Sequence, residues 1–127
     1  MEKHVAVLLH NVRSAHNVGS IFRTVDAAGA ERIFLTGYTP KPRDRFDRIQ
    51  KEIAKTALGA EKAVPWEYQG SASRLLKRLK REGWRIVGVE QDAHSKEDRS
   101  CKLKKPTVFV FGNEVSGLSR ALRSECD

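Results

Sequence analysis

The sequence predicts an α/β fold in which helices pack on both sides of a mostly parallel sheet. Three observations support this fold class. Residues 5–9, VAVLL, form a continuous apolar run of strand length, which is typical of a strand buried on both faces. A strand, a loop, a helix and a second strand follow one another within residues 5–37, the spacing of a right-handed parallel crossover. Strands and helices then continue to alternate along the chain.

The first helix is predicted to begin at Asn17, whose side-chain oxygen can cap the first turn, and to end at Gly29. One face of it carries apolar residues at helical spacing, namely Val18, Ile21, Phe22, Val25 and Ala28. Residues 32–37, RIFLTG, are predicted as the second strand. Residues 38–45, YTPKPRDR, contain two prolines and predict an exposed loop.

The second helix is predicted from four apolar residues at helical spacing and is expected to close at residues 58–59. The four are Phe46, Ile49, Ile53 and Ala57. The remaining elements are a weaker strand over 64–68, a helix over 71–82, a strand over 85–90, a polar loop over 91–105, a strand over 107–112 and a helix from Ser116 onward. No internal repeat or linker divides the chain, so residues 1–127 are expected to form a single domain.

Charge and composition indicate the partner class. Lys and Arg number 24 against 16 Asp and Glu, giving a formal net charge of +8, which favours a phosphate-rich partner such as RNA; solubility alone is the alternative reading. No apolar stretch has the length of a membrane span or signal peptide, so we expect a cytoplasmic protein with no membrane partner. Cys101 and Cys126 have no ligand spacing, so no metal site is predicted.

Ligands of parallel α/β sheets bind beyond the carboxyl ends of the strands, and the polar residues and glycines of this chain concentrate there. They follow the first, fourth and fifth predicted strands, and they are Asn11, Arg13, Asn17, Gly19, Gln91, Asp92, Gly112, Asn113, Glu114, Ser116 and Gly117. We therefore expect a binding site at this edge. Neither GxGxxG nor GxxxxGK[ST] occurs, so neither a dinucleotide fold nor a P-loop is supported.

Three segments resemble the SpoU (TrmH-like) branch of the SPOUT RNA methyltransferases. Residues 11–37, NVRSAHNVGSIFRTVDAAGAERIFLTG, are similar to the first motif of that family. Residues 108–119, VFVFGNEVSGLS, are similar to its second motif, and residues 55–66, KTALGAEKAVPW, resemble the segment between the two. The similarity runs along nearly the whole chain, and two motifs in this order are more specific than either alone.

The resemblance implies methyl transfer from S-adenosylmethionine to a ribose 2′-hydroxyl of tRNA or rRNA, in a fold with a C-terminal trefoil knot and in a homodimer. The implied catalytic residues are Asn17, Arg23 and Glu114. The implied cofactor-binding residues are Val89, Glu90, Gly112, Asn113 and Gly117.

Each implied catalytic residue also has a simpler reading. Arg23 can stabilise the negative charge that develops on the attacking ribose oxygen, but it can instead form a surface ion pair with Asp26 or Glu31. Asn17 can orient that arginine or the RNA backbone, or it can simply cap the helix. Glu114 can accept a proton, or it can belong to a capping arrangement before the last helix.

Basic residues of two loops near the expected site are candidates for RNA phosphate contacts. These residues are Arg13, Lys41, Arg43 and Arg45. The basic cluster over residues 77–81 is interpreted as a solvated helix face.

The sequence departs from the family pattern at its C-terminus. A SpoU-type chain is expected to continue with another strand and a third motif that complete the knot and much of the cofactor pocket, whereas this sequence stops at Asp127. The knot-forming element is therefore expected to be missing or truncated, and the 127-residue chain to bind S-adenosylmethionine weakly and have little activity. Tight binding in a calorimetric titration would contradict this. The alternatives are a non-catalytic RNA-binding module and a truncated fold made to study knotting.

Overall fold

The computed structural model describes residues 4–89 and 106–112. In chain order the elements are β1 (Val5–His10), α1 (Ala15–Ala28), β2 (Arg32–Thr36), α2 (Lys51–Ala57), α3 (Ala60–Ala63), β3 (Trp66–Gln69), α4 (Ala72–Arg81), β4 (Arg85–Val89) and β5 (Thr107–Phe111). The short helix α3 is the one element here that the sequence pattern does not predict. The predicted loop over 91–105, the helix from Ser116 and the knot lie outside the described residues.

Within the described ranges, five strands form one parallel sheet in the order β3–β2–β1–β5–β4. β1 is central and pairs with β2 on one side and β5 on the other. Because every strand runs in the same direction, the carboxyl ends of all five share one edge. The sheet confirms the predicted α/β class.

Both faces of the sheet are covered by helices, as the apolar run of β1 predicts. Ala6 and Leu8 point to one face, where α4 contributes three buried leucines. Val7 and Leu9 point to the opposite face, where they pack with buried residues of α1, α2 and α3. Each of the two cores therefore takes alternate residues of the same central strand.

The start of α1 differs from its predicted position. α1 begins at Ala15, and Ser14 is its N-cap, with the Ser14 Oγ accepting a hydrogen bond of 3.1 Å from the backbone N–H of Asn17. The prediction that Asn17 caps the helix is therefore wrong, because a serine three residues earlier satisfies the free N–H group first. Gly29 closes the helix in the left-handed conformation, as predicted.

Residues 42–50, which we call the arm, form a compact turn and not the start of a helix. The Asp44 carboxylate accepts the backbone N–H groups of Phe46 and Arg48 at 2.8 and 3.0 Å, and an isolated antiparallel bridge joins Arg43 to Ile49. Phe46 and Ile49 are exposed and precede α2, so the prediction that they belong to a face of this helix is wrong. An aspartate that bonds nearby backbone groups competes with helix formation, and α2 starts only at Lys51.

Helices α1 and α2 approach closely at Gly19. A Cβ atom on this buried residue would overlap Thr56 Oγ1 and would lie 2.5 Å from the carbonyl oxygen of Ile53. Thr56 Oγ1 also donates a hydrogen bond of 2.9 Å to the backbone oxygen of His16. Gly19, one of the residues expected at the binding edge, therefore serves helix packing, because the space beside it is taken by α2.

Candidate functional site

The carboxyl edge of the sheet brings together two of the predicted cofactor residues. Val89 ends β4 and pairs with Phe111, so it lies on the strand next to the one that Gly112 follows. Both Val89 and Gly112 are half-buried. In the order β3–β2–β1–β5–β4, β1 and β5 are neighbours although they lie far apart in the chain. Parallel α/β sheets bind ligands beyond the carboxyl ends of their strands.

Several other predicted site residues lie outside the described residues. They are Glu90, Asn113, Glu114 and Gly117. The convergence of Arg23 with Glu114 therefore stays a prediction.

Asn17 and Arg23 both lie exposed on α1, but on different sides of it. An α-helix rises about 1.5 Å and turns about 100° per residue, so six positions separate them by about 9 Å along the axis and about 120° around it. No hydrogen bond joins the two side chains among the described residues. Asn17 consequently does not orient Arg23 directly, and the two side chains reach different parts of any bound ligand.

The ion pairs proposed as an alternative role for Arg23 do not form in the described part of the chain. Glu31 is engaged elsewhere, since its Oε1 lies 2.7 Å from His4 Nδ1. Asp26, one turn along the helix from Arg23, forms no salt bridge with it. The exposed Arg23 guanidinium is thus available to an anionic ligand.

Three of the four predicted RNA-binding residues lie over aromatic rings. The distances to the ring centroids are 5.5 Å from Arg13 to Tyr38, 4.4 Å from Lys41 to Tyr68 and 5.0 Å from Arg45 to Phe46. The fourth, Arg43, has a different role. Its Nη1 donates a hydrogen bond of 2.9 Å to the backbone oxygen of Asp47, so Arg43 holds the turn of the arm closed.

The aromatic partners of these cations are the residues that sequence reasoning missed. Tyr38 and Tyr68 border a pocket of about 380 Å³ between the arm, the loop after β2 and the end of β3; Asp44, Arg48 and Gln50 also line it. We call this the loop pocket. The available signal was the interleaving of aromatic and basic residues over 38–48, which is typical of surfaces that bind nucleic acid.

The loops after β1 and β2 are joined by hydrogen bonds beneath this surface. The backbone N–H of Asn11 donates to the carbonyl oxygen of Thr36 at 3.2 Å, and the Asn11 Oδ1 accepts the backbone N–H of Tyr38 at 3.0 Å. The backbone N–H of Val12 donates to Thr39 Oγ1 at 3.1 Å, and that buried hydroxyl donates to Leu9 O at 3.0 Å. These hydrogen bonds therefore fix the two loops relative to each other.

Asn11 is expected to be the most sensitive residue of this connection. Its φ is +55°, a left-handed conformation that asparagine and glycine tolerate best. We expect Asn11→Ala to lower the free energy of unfolding by about 1–3 kcal/mol, because it adds backbone strain and removes the bond to Tyr38. Asn11→Gly removes the bond but not the favourable conformation, so it should cost less. Urea unfolding measures both, and equal losses would contradict the conformational part.

His10 at the end of β1 should make stability depend on pH. Its Nδ1 lies 3.0 Å from Thr36 Oγ1, and burial lowers its pKa from the ordinary 6.5. His10 therefore binds a proton more readily in the unfolded chain than in the folded chain. Its contribution to the free energy of unfolding is fully present above about pH 6.5 and decreases as the pH falls towards the lower folded pKa. The loss is at most about 1.4 kcal/mol per pH unit.

The matched variant for this effect is His10→Gln, which keeps a polar side chain but does not titrate. Between about pH 7.5 and 5.5, the wild-type Tm should fall further than the variant Tm. Parallel falls in the two proteins would contradict a role for His10 in the pH dependence.

No helix in residues 4–89 has both the length and the apolar character needed to cross a membrane. Within the same described part of the chain, no cluster of three or more His, Cys, Asp or Glu side chains could hold a metal ion.

The sequence and the fold of this chain are similar to those of known RNA methyltransferases. A family model described as the SpoU rRNA Methylase family matches residues 4–127. The 23S rRNA (guanosine-2′-O-)-methyltransferase RlmB of Pseudomonas aeruginosa is 33% identical over 119 residues, which are 94% of this chain and 45% of that protein.

Solved structures give the same result. The AdoMet-bound rRNA methyltransferase from Sinorhizobium meliloti superposes with a TM-score of 0.82 at 31% identity, over 97% of this chain and 44% of that one. The A. aeolicus TrmH/SpoU tRNA modifying enzyme superposes with a TM-score of 0.78 at 28% identity, over 99% of this chain and 60% of that one. The chain spans about half the length of the curated relatives it matches.

Proposed function

The chain belongs to the SpoU rRNA methylase family, and from this premise we propose that it transfers a methyl group from S-adenosylmethionine to a ribose 2′-hydroxyl of tRNA or rRNA. The observation that carries the proposal is Arg23, an exposed arginine without an ion pair among the described residues. It lies in the family's first motif, on the helix that starts from the carboxyl edge of the sheet.

Arg23 acts on the ribose and its phosphate. A hydroxyl is a weak nucleophile until its proton is drawn away, and its oxygen gains negative charge as that proton leaves. A guanidinium with a pKa above about 12 is a poor base, but it donates strong hydrogen bonds to phosphate and to a developing oxyanion. Arg23 therefore clamps the RNA and stabilises charge, while the proton passes to phosphate, to water or to Glu114.

Asn17 contacts the RNA backbone separately from Arg23. It lies in the first turn of a 14-residue helix, where the positive end of the helix dipole favours a nearby phosphate. Since Asn17 is neither the helix cap nor a partner of Arg23, its exposed amide is free for this contact among the described residues.

The cofactor site suits the ends of β4 and β5. The main-chain groups of Val89 and Gly112 would hold the cofactor there, with Glu90, Asn113 and Gly117 completing the site; Gly112 adds no side chain to the space. Bound S-adenosylmethionine supplies a methyl group on a positively charged sulfur, which leaves as a neutral thioether. The chain's part is to position the donor at the edge from which α1 begins.

The partners follow from the same premise. RNA is the substrate, contacted through Arg13, Lys41 and Arg45, with Arg43 supporting the arm. A second copy of the chain completes the site in a homodimer, and residues 1–127 act as a single domain. We place this work in the cytoplasm because tRNA and rRNA are modified there.

A non-catalytic RNA-binding module is the second candidate function. It is favoured by the cations stacked on exposed rings, because such a surface binds RNA whether or not a methyl group is transferred. It predicts salt-sensitive RNA binding without modification.

The experiment that separates the two supplies S-adenosylmethionine with a labelled methyl group and a mixture of tRNA and rRNA. A 2′-O-methyl group blocks alkaline cleavage of the neighbouring phosphodiester, so the proposed product is a labelled, alkali-stable dinucleotide. Label in a nucleobase would contradict ribose methylation. RNA binding with no labelled nucleoside would favour the non-catalytic module.

A further inference from the structure

The loop pocket has aromatic walls that the apolar cores do not use. Tyr38 is 50% exposed and Tyr68 is 39% exposed, and neither ring belongs to the two hydrophobic clusters that flank the sheet. Phe46, on the adjacent arm, is 62% exposed. Three large rings in one neighbourhood at the surface need an explanation other than the stability of the core.

These rings are held in place and carry cations. The Tyr68 hydroxyl donates a hydrogen bond of 2.7 Å to the carbonyl oxygen of Gly37, which fixes the ring against the end of β2. Lys41 Nζ lies over the Tyr68 ring, and the Arg13 guanidinium lies over the Tyr38 ring. The pocket therefore presents preorganised aromatic surface under a positive rim.

The polar groups of the pocket suit a nucleotide, whose base is neutral and whose phosphate is anionic. Asp44 is occupied by the arm: backbone N–H donation from Arg48 lowers its pKa, and its Oδ2 accepts Arg48 Nε at 3.0 Å. Gln50 Oε1 accepts the backbone N–H of Glu52, and its amide nitrogen has no hydrogen-bond partner among the described residues. An amide donor beside aromatic rings can bond to the edge of a base.

We propose that the loop pocket binds an unpaired nucleobase of the RNA, stacked on the Tyr38 and Tyr68 rings, with the cations of Lys41 and Arg48 on the flanking phosphates. This inference rests on the proposed RNA function and adds a recognition site to it. The volume of about 380 Å³ lies within the roughly 300–1,000 Å³ of small-ligand sites.

The ligand is single-stranded because stacking requires a free base face. In a duplex the base faces are covered by neighbouring pairs, and proteins then contact mainly phosphates and 2′-hydroxyls. Bases of loops and bulges, in contrast, stack on aromatic and arginine side chains. The protein therefore selects RNA in which an unpaired nucleotide lies near the methylated one.

The test measures binding of three fluorescent RNAs by anisotropy: a mixed-sequence single strand, its duplex, and an abasic strand with the same backbone. The double variant Tyr38→Leu, Tyr68→Leu should raise the Kd for the intact strand about tenfold or more. It should leave the Kd for the duplex and the Kd for the abasic strand unchanged. Phenylalanine at both positions should keep most of the affinity. Lys77→Ala on the exposed face of α4 is the unaffected control.

Salt dependence distinguishes stacking from phosphate contact. Lys41→Ala should weaken binding of the intact and abasic strands alike and reduce the salt slope by about one phosphate contact. The leucine variant should keep the wild-type slope. If the double variant does not fold, Tyr38→Leu alone carries the test, since that ring is half exposed.

Two results would contradict the proposal that the loop pocket binds a base. One is wild-type affinity of a folded leucine variant for the intact strand; the other is an equal loss for the intact and abasic strands. The labelled-methyl assay on the wild type separates this from the proposed function. If the wild type methylates RNA but the leucine variants bind RNA normally, only the proposed base-binding pocket is contradicted. If the leucine variants show the expected base-dependent loss of binding but the wild type does not methylate RNA, only the proposed methyl transfer is contradicted.

Discussion

Replacing Arg23 with alanine is expected to slow methyl transfer to RNA by about 10²–10³-fold, the usual effect of removing a donor that stabilises developing negative charge. The exposed guanidinium has no ion pair or hydrogen bond in the described part of the chain, so the change breaks no such bond there and stability should be little affected. Arg23→Lys keeps the charge but loses the planar pair of donors, and its rate should lie between the two. Steady-state kcat and KM from the labelled-methyl assay give the answer.

A charge-matched control for this prediction is Arg81→Ala, an exposed residue that ends α4 just before β4 begins, at the edge of the sheet opposite the carboxyl edge. Its rate should equal that of the wild type. If Arg23→Ala lowers only RNA affinity, and by no more than Arg13→Ala does, then Arg23 is one phosphate contact among several. That outcome would favour the non-catalytic module.

Replacing Gly19 with alanine is expected to lower the free energy of unfolding by about 1–3 kcal/mol and the Tm by roughly 4 °C or more. Alanine ordinarily stabilises a helix relative to glycine, so a loss here isolates the packing effect. The added Cβ would overlap the Thr56 side chain and press on the Ile53 carbonyl, which belongs to the backbone of α2 and cannot rotate away. Urea and thermal unfolding measure the change.

Gly70→Ala is the matched control, since a Cβ there meets no atom closer than the Tyr68 hydroxyl at 3.9 Å. It should be neutral or slightly stabilising. Thr56→Ala in the Gly19→Ala background should restore only part of the loss, because the Ile53 carbonyl remains. Full recovery would show that the side chain alone is responsible, and no loss at all would mean that the helices separate without cost.

The sequence pattern was sufficient where periodicity alone decides structure. The apolar run of β1 is continuous, and α1 and α4 carry apolar residues at helical spacing on one side. These patterns are long enough to identify each element and its buried side. α3 has four residues, which is too short for a helical period to be recognised. Ends were less reliable than elements because capping is local chemistry, as Ser14 shows.

The arm shows why pattern reasoning fails in loops. Phe46 and Ile49 stand at helical spacing before Ile53, yet the carboxylate of Asp44 bonds the backbone within the same turn and excludes the helix. Apolar spacing does not reveal that competition. The exposure of Phe46, which follows from it, is what turns an apparent core residue into part of the basic and aromatic surface.

The candidate site depended on contacts that are distant in sequence. The motif identified Arg23 as a candidate. Glu31, its possible ion-pair partner, is engaged instead by His4, which lies 27 residues before Glu31 in the sequence. The loop pocket joins residues 37–50 to Tyr68, which the pairing of β2 with β3 brings beside them. Gly19 could be assigned to helix packing only once α2 was in place, because nothing in the sequence near it indicates the neighbour.

The hydrogen bonds between the loops after β1 and β2 set a fixed spacing on the surface. Arg13 follows β1, whereas Tyr38 and Lys41 follow β2, and Asn11 links the backbones of the two loops. Arg23 lies on the helix that continues directly from the first loop. A base stacked on the tyrosines and a ribose held at Arg23 would then be separated by a fixed number of nucleotides. The protein would therefore select its target by the spacing of these two nucleotides along the strand and not by the identity of the modified base.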